Sequence, residues 1–251
     1  MKKSKIIYLD ATASTNDFLL KNAGKYEGED LVVAVSDYQT AGHGMGTNKW
    51  ESEVGKNLLF SMLIHPLWVD AGVEFLVSMS EAIALCEVLS EYADDITIKW
   101  PNDIVMNGKK VCGILTEMSA QFDYINHIVI GIGINVHNED FPEEIAKTAS
   151  SLYLESGQHI HRASLIEAFL EEFEDVYAEY LKTEDMEGLQ KEYDAMLVNR
   201  GRQVRVLDPK EPFEGKAMGI TKKGELIVDT WESRKLVSSG EVSVRGIYGY
   251  V

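Results

Sequence analysis

The sequence predicts an α/β (α+β) fold: a mixed sheet with flanking helices, followed by a small C-terminal β-barrel. Three observations predict it. Compact apolar runs of strand length, such as Leu31 to Ser36 and Asn57 to Ile64, are interspersed with two long helical periods. From Gln203 onward the apolar residues alternate at period two in short runs separated by turn residues. The change of texture falls at Met196–Asn199 without a flexible linker, which predicts domains at 1–197 and 198–251 that pack together.

Taken in order, Ile6 to Leu9 reads as the first strand. Ser14 to Lys21 reads as a helix, with Ser14 or Thr15 as its cap and Asp17 in the first turn. Leu31 to Ser36, with Val32, Val33 and Val35, reads as a buried strand, and Asn57 to Ile64 as another. Between them Thr40 to Asn48 is too rich in glycine for regular structure. Val73 to Glu91 has the cleanest helical period, with Phe75, Leu76, Met79, Ala82, Ile83, Cys86 and Leu89 on one stripe and Glu81, Glu87 and Glu91 off it. Strands follow at Ile96 to Trp100, Lys110 to Met118 and Ile125 to Val136, and Asn107-Gly108 supplies the hairpin turn between the first two. Ser164 to Leu181 forms a second amphipathic helix, turning Leu165, Ile166, Phe169, Leu170, Phe173, Val176 and Tyr177 inward. The barrel strands are Val204 to Leu207, Gly215 to Ile220, Leu226 to Asp229, Lys235 to Val237 and Val242 to Ile247, separated by Asp208-Pro209, Lys223-Gly224 and Ser239-Gly240.

Composition narrows the function. A net charge of −17 repels a nucleic-acid backbone, so any site for a phosphate must be built locally from a few placed cations. Cys86 and Cys112 are too few for a disulfide framework or a zinc site, and their apolar neighbours predict buried thiols in a reducing compartment. The basic start at Lys2, Lys3 and Lys5 is followed by an apolar run that stops at Asp10, too short for a signal peptide. No run approaches the ~18 apolar residues of a membrane span, and a cytoplasmic protein is expected.

Four segments hold residues suited to chemistry. Ser14-Thr15-Asn16 caps a helix, yet capping uses one oxygen and leaves other polar groups for a small head group. Gln39 to Trp50 carries Gly42, Gly44 and Gly46 at alternate positions, so its backbone can approach an anion, although it matches neither phosphate-loop pattern. Lys99-Trp100-Pro101-Asn102-Asp103 and the run Gly108 to Glu117 bring Lys99 and Lys110 to strand ends, where they can neutralise an anion and Asp103 can hold Mg²⁺. A surface hairpin with solvated lysines would show the same composition. Gly131-Ile132-Gly133-Ile134-Asn135 puts glycines inside an apolar strand, which signals close approach by a ligand or another backbone, or else tight strand packing. The scattered histidines have no metal-ligand spacing.

In this order, the motifs S-T-N, Q-T-A-G-x-G, W-E-S, K-W-P-N-D, G-K-K-V-C-G-I-L-T-E and G-I-G-I-N-V resemble the biotin–protein ligase catalytic domain. Ser239 to Arg245 resembles that family's small barrel, so the likeness spans nearly the whole chain. It implies a class II synthetase-like sheet with an SH3-like barrel. It also implies a cytoplasmic enzyme that activates biotin with ATP and Mg²⁺ to biotinyl-5′-AMP, then passes biotin to a lysine of a biotin carboxyl carrier protein. By resemblance, Lys110 is the catalytic lysine and Lys99 assists it. Ser14, Thr15, Asn16 and Gln39 hold the head group under the loop of Gly42, His43, Gly44 and Met45. Trp50 braces the loop, and Gly113, Leu115, Gly131 and Gly133 line the substrate site. Asn102, Asp103 and Asn135 surround the nucleotide and its metal, and Arg245 reaches over from the barrel.

Two positions depart from the family. His43 and Asn48 stand where arginines are usual, and a histidine lacks arginine's permanent charge and its fork of donors, which predicts a weaker hold on the adenylate. The resemblance is to short ligases without a DNA-binding segment, and strand edges allow a homodimer. A lipoate–protein ligase and a weakened biotin- or adenylate-binding protein are the alternatives, with a transcriptional regulator disfavoured by the acidic balance.

Overall fold

The computed structural model describes residues 4–65, 74–121, 124–239, 243–247 and 249–251. Seven strands form the larger sheet: β1 (Ser4–Leu9), β2 (Leu31–Ser36), β3 (Asn57–Ile64), β4 (Ile96–Lys99), β5 (Asp103–Met106), β6 (Lys109–Gln121) and β7 (Tyr124–Asn135). Their order is β1-β2-β3-β7-β6-β5-β4, with β1 parallel to β2 and every other pair antiparallel. The smaller sheet has the order β11-β10-β9-β8-β12, built from β8 (Gln203–Leu207), β9 (Phe213–Ile220), β10 (Leu226–Asp229), β11 (Arg234–Val237) and β12 (Ser243–Gly246). It is antiparallel throughout, as its period-two alternation predicts. The expected Gly240, Glu241 and Val242, the first residue of the second helix at Val73, and Lys2 and Lys3 lie outside the described residues.

Alternation along the strands gives the large sheet two different faces. Val32, Ala34, Leu63 and Val129 point to one side and pack under Leu19 and Ala23 of α1 (Thr15–Asn22) and its following turn. Leu31, Val33, Phe60, Met62, Ile130 and Ile132 point to the other, against α2 (Glu74–Ser90) and α4 (Arg162–Tyr180). On α4, Leu165, Ile166, Phe169, Phe173, Val176 and Tyr177 are buried as the period predicts, and Leu170 is half-buried. Two short helices, α3 (Leu152–Ser156) and α5 (Gln190–Met196), were not anticipated, being too short to show a period.

Two expectations need correction. Between β4 and β6 the chain makes an extra strand, β5, after a cis Trp100–Pro101 bond, so Asn107-Gly108 joins β5 to β6 and not β4 to β6. The left-handed φ values of 50° and 76° at those two residues suit the predicted turn. The second helix is also not two-faced. Ser78, Ser80, Glu81, Ala84, Leu85 and Val88 are buried together with the apolar stripe, because α2 is packed by the sheet, by α4, by α5 and by the small sheet.

The small sheet is seated firmly on the large one. Val198 N–H donates to Ile98 O at 2.9 Å, Trp100 N–H to Asn199 Oδ1 at 2.9 Å, and the Trp100 indole N–H to Gly224 O at 3.0 Å. Gly224 has φ +75° and rests on α2, where a Cβ would come within 2.6 Å of Leu76. Tyr193 on α5 donates its hydroxyl to Pro101 O at 2.5 Å. The Lys99–Asp103 turn is therefore held from the seam between the two sheets. No described helix is long and apolar enough to cross a membrane.

Candidate active site

Cross-strand register defines the floor of the site. On one face, Ser61 of β3, Gly131 of β7 and Leu115 of β6 form a row, and Leu59, Gly133 and Gly113 form the next. The rows are two residues apart, so their side chains share a face. Three of the six positions are glycine, and the space they leave is filled from above. A Cβ on Gly131 would lie 2.3 Å from Asn16 Oδ1, and one on Gly133 would lie 2.5 Å from the Trp50 ring. One on Gly113 would lie 2.9 Å from Lys110 Nζ and 3.0 Å from Trp50. The intrastrand glycines thus mark close approach by this chain's own side chains.

At the Gly131 end lies a polar cluster at the start of α1. Ser14 caps the helix, accepting from Asp17 N–H at 3.5 Å. Gln39 Oε1 accepts from Thr15 N–H at 2.6 Å and from the Thr15 hydroxyl at 3.0 Å. The Ser61 hydroxyl lies 2.6 Å from Thr15 Oγ1 and 2.5 Å from Asn16 Oδ1, and Asn16 Nδ2 donates to Glu117 Oε2 at 2.7 Å and Leu115 O at 3.4 Å. Ser14, Thr15 and Asn16 are all buried. Such a set offers both donors and acceptors to a neutral polar group.

The glycine loop folds back over this cluster. Trp50 N–H donates to Gly42 O at 3.0 Å and Gly44 N–H to Asn48 O at 2.9 Å. A Cβ on Gly42 would lie 2.6 Å from Trp50 O, which explains the glycine. His43 Nε2 lies 3.4 Å from Glu117 Oε2, so the histidine reaches the same carboxylate as Asn16. Met45 is exposed and stands apart from this group. The buried indole N–H of Trp50 has no hydrogen-bond partner among the described residues.

At the Gly113 end the charges gather. Lys110 Nζ lies 2.5 Å from Asp103 Oδ1, Lys99 Nζ lies 3.9 Å from Asp103 Oδ2, and the Tyr250 hydroxyl donates to Asp103 Oδ2 at 2.5 Å. Lys110 also lies over the Trp50 ring, 5.8 Å from its centroid. Its backbone is clamped on both sides, donating to Thr148 O and accepting from Ser150 N–H. Arg245 and Lys99 both lie over the Tyr250 ring, at 4.8 and 4.6 Å. Burial, aided by Arg245 and Lys110, lowers the Lys99 pKa to about 8 against the pull of Asp103. Burial would raise the Asp103 carboxyl, but Lys110 and Lys99 outweigh it and hold the group below the usual range. Burial, with the Asp103 charge, pushes the Tyr250 hydroxyl far up.

Not every expected residue faces this strip. Asn135 is buried, accepting from Asn57 Nδ2 and donating to Ser150 O, both at 3.0 Å, and so braces the segment that clamps Lys110. Asn102 Nδ2 donates to Ile114 O at 3.2 Å and Ser78 Oγ at 3.4 Å. Both Asp103 oxygens are engaged, Oδ1 by Lys110 and Oδ2 by the Tyr250 hydroxyl. Ser61, Glu117 and Tyr250 were missed by sequence reasoning. Ser61 was legible as a lone hydroxyl in an apolar run, and Glu117 as the next residue in period with Gly113 and Leu115. Tyr250 gave no signal.

A strip with a polar cluster at one end and a cation cluster at the other is the arrangement that an acid-activating ligase needs. The family model of the biotin/lipoate A/B protein ligase family matches residues 8–135, and that of the biotin protein ligase C terminal domain matches residues 201–245. The chain therefore belongs to the biotin/lipoate A/B protein ligase family. The bifunctional ligase/repressor BirA of Bacillus subtilis is 34% identical to it over 95% of this chain and 74% of that one. The biotin--[acetyl-CoA-carboxylase] ligase of Mycobacterium tuberculosis is 28% identical over 92% and 85%. The biotin protein ligase of Aquifex aeolicus in complex with biotin and ATP aligns with a TM-score of 0.82 at 27% identity, covering 98% of this chain and 100% of that one. Within the family the chain falls among the biotin protein ligases.

Proposed function

We propose that the chain activates biotin with ATP and transfers it to a lysine of a biotin carboxyl carrier protein. One observation carries the reading: the polar cluster at Asn16 and the ammonium of Lys110 sit on the same strip, at Gly131 and Gly113. Two strand residues separate the two ends, roughly 7 Å, the span of a short acyl chain. Trp50 covers the Gly133–Gly113 row beside Lys110 and supplies an apolar wall there.

The residues divide the work accordingly. Ser14, Thr15, Asn16 and Gln39 take the neutral ureido head, with Ser61 and Glu117 holding Asn16 in place. Lys110 leaves Asp103 to bridge the biotin carboxylate and the α-phosphate, two anions that repel each other until a cation lies between them. A carboxylate oxygen attacks the α-phosphorus, and the bond to pyrophosphate breaks. Lys99 and Arg245 receive the phosphate charge. The carrier's lysine amine then attacks the acyl carbon, AMP leaves, and the amine's proton goes to solvent or to the departing phosphate. Magnesium enters with ATP as part of that substrate. The boundary between the catalytic and barrel domains lies between Leu197 and Val198, where α5 ends and the seam bonds begin.

ATP–pyrophosphate exchange tests the reading. Exchange stimulated by biotin and not by lipoate is expected, whereas stimulation by lipoate alone, or no exchange, would overturn it.

A further inference from the structure

We propose that Tyr250 is a positioning residue for the nucleotide, joining Lys99, Asp103 and Arg245 into one phosphate-receiving cluster across the two sheets. The inference rests on the ATP-site reading above. It begins from a difficulty of charge. Lys99, Lys110 and Arg245 converge on a region with one carboxylate, Asp103, and Lys99 is nearly buried. Like charges brought together before a polyanion arrives repel, and a long side chain with no fixed partner swings away. Tyr250 answers both needs. Its ring offers a π surface to the Lys99 ammonium and the Arg245 guanidinium, and its hydroxyl holds Asp103 Oδ2 while Lys110 takes Oδ1.

The backbone is built to deliver this ring. After β12 the chain doubles back, with Gly246 bridged to Gly249 and Gly249 N–H donating to Gly246 O at 3.3 Å. A Cβ on Gly246 would lie 2.0 Å from Val251 O, so only glycine permits the return. Val251 in turn meets the β5–β6 turn, since a Cβ on Gly108 would lie 3.2 Å from its side chain. Arg245 comes from the small sheet, and Lys99 and Asp103 come from the large one. Tyr250 touches all three.

Steady-state kinetics of Tyr250→Ala and Tyr250→Phe in the full chain test this, with Arg245→Gln as the control for the ATP-site reading. Tyr250→Ala is expected to raise KM for MgATP about tenfold or more and to leave KM for biotin within about twofold. Tyr250→Phe keeps the ring and should recover most of the ATP affinity. Equal losses toward ATP and biotin would mark a merely structural role and overturn the proposal. A lower KM for ATP in Tyr250→Ala would make the ring an obstruction and overturn it as well. If Arg245→Gln weakens ATP and Tyr250→Ala does not, the positioning role fails and the ATP site stands. If neither variant changes KM for ATP, the ATP-site reading itself fails.

Discussion

Gly131 and Gly133 show how a residue can serve a site by having no side chain. Each clears the space for one named group, Asn16 or Trp50, and the sequence already marked both as places of close approach inside an apolar strand. Lys99, Lys110 and Asp103 were legible through the family resemblance of their motifs, since their composition alone fits a solvated surface hairpin equally well. Asn135 was legible as a buried amide in need of partners, but which partners depends on the fold, and they are Asn57 and Ser150. His43 is the residue-scale departure. It reaches Glu117 at 3.4 Å with one ring nitrogen, where arginine would bring a fixed charge and a fork of donors over the same cluster. His43→Arg is expected to slow release of the enzyme-bound acyl-adenylate by about tenfold, the scale of one charge-assisted hydrogen bond. Rapid filtration of enzyme loaded with radiolabelled adenylate measures this. An unchanged release rate would remove His43 from the account of adenylate retention.

At the scale of elements, the long periodic segments were readable and the short ones were not. α4 and the strands β2 and β3 follow directly from apolar spacing, whereas β5 holds only three consecutive apolar residues and α5 spans two turns. For α2 the period was right and the exposure wrong, since periodicity describes one stripe and cannot count how many neighbours will pack. That crowding has an electrostatic consequence. Burial, then hydrogen bonding to Glu192 of α5 and Glu172 of α4, raises the Glu87 carboxyl on α2 from 4.5 to about 9. A group held neutral in the folded state and ionised in the unfolded one contributes its full stability below pH 4.5, and loses it as pH rises through about 9. Glu87 is only half-buried, so solvent screening tempers the effect. Glu87→Gln is therefore expected to raise Tm by about 2–4 °C at pH 8 and to change it little at pH 4.5. Calorimetry at the two pH values decides it, and a variant less stable at pH 8 would contradict the cluster's assigned cost.

Across the whole molecule, a chain of net charge −17 concentrates cations where its two sheets meet. Composition marks a change of texture near Leu197 and the need for local positive charge. What composition could not reveal is that the seam supports the site. Asn199 and Tyr193 hold the backbone of the Lys99–Asp103 turn, Gly224 holds the Trp100 indole, and each is distant from it in sequence. Long-range support of this kind leaves no periodicity to read. The likeness to a known family brought Arg245 to the site, but Tyr250 lies outside the matched regions and became visible only in three dimensions.

The central claim is that Lys110 bridges the acid and the phosphate at one end of a strip whose other end binds the head group. The most direct measurement compares Lys110→Gln with the unaltered enzyme, taking biotin affinity by calorimetry and biotin-dependent ATP–pyrophosphate exchange on the same preparations. Exchange is expected to fall at least about 100-fold, roughly 2.7 kcal/mol of transition-state stabilisation, while biotin affinity changes less than about tenfold. Undiminished exchange, or a loss of biotin binding as large as the loss of exchange, would contradict it.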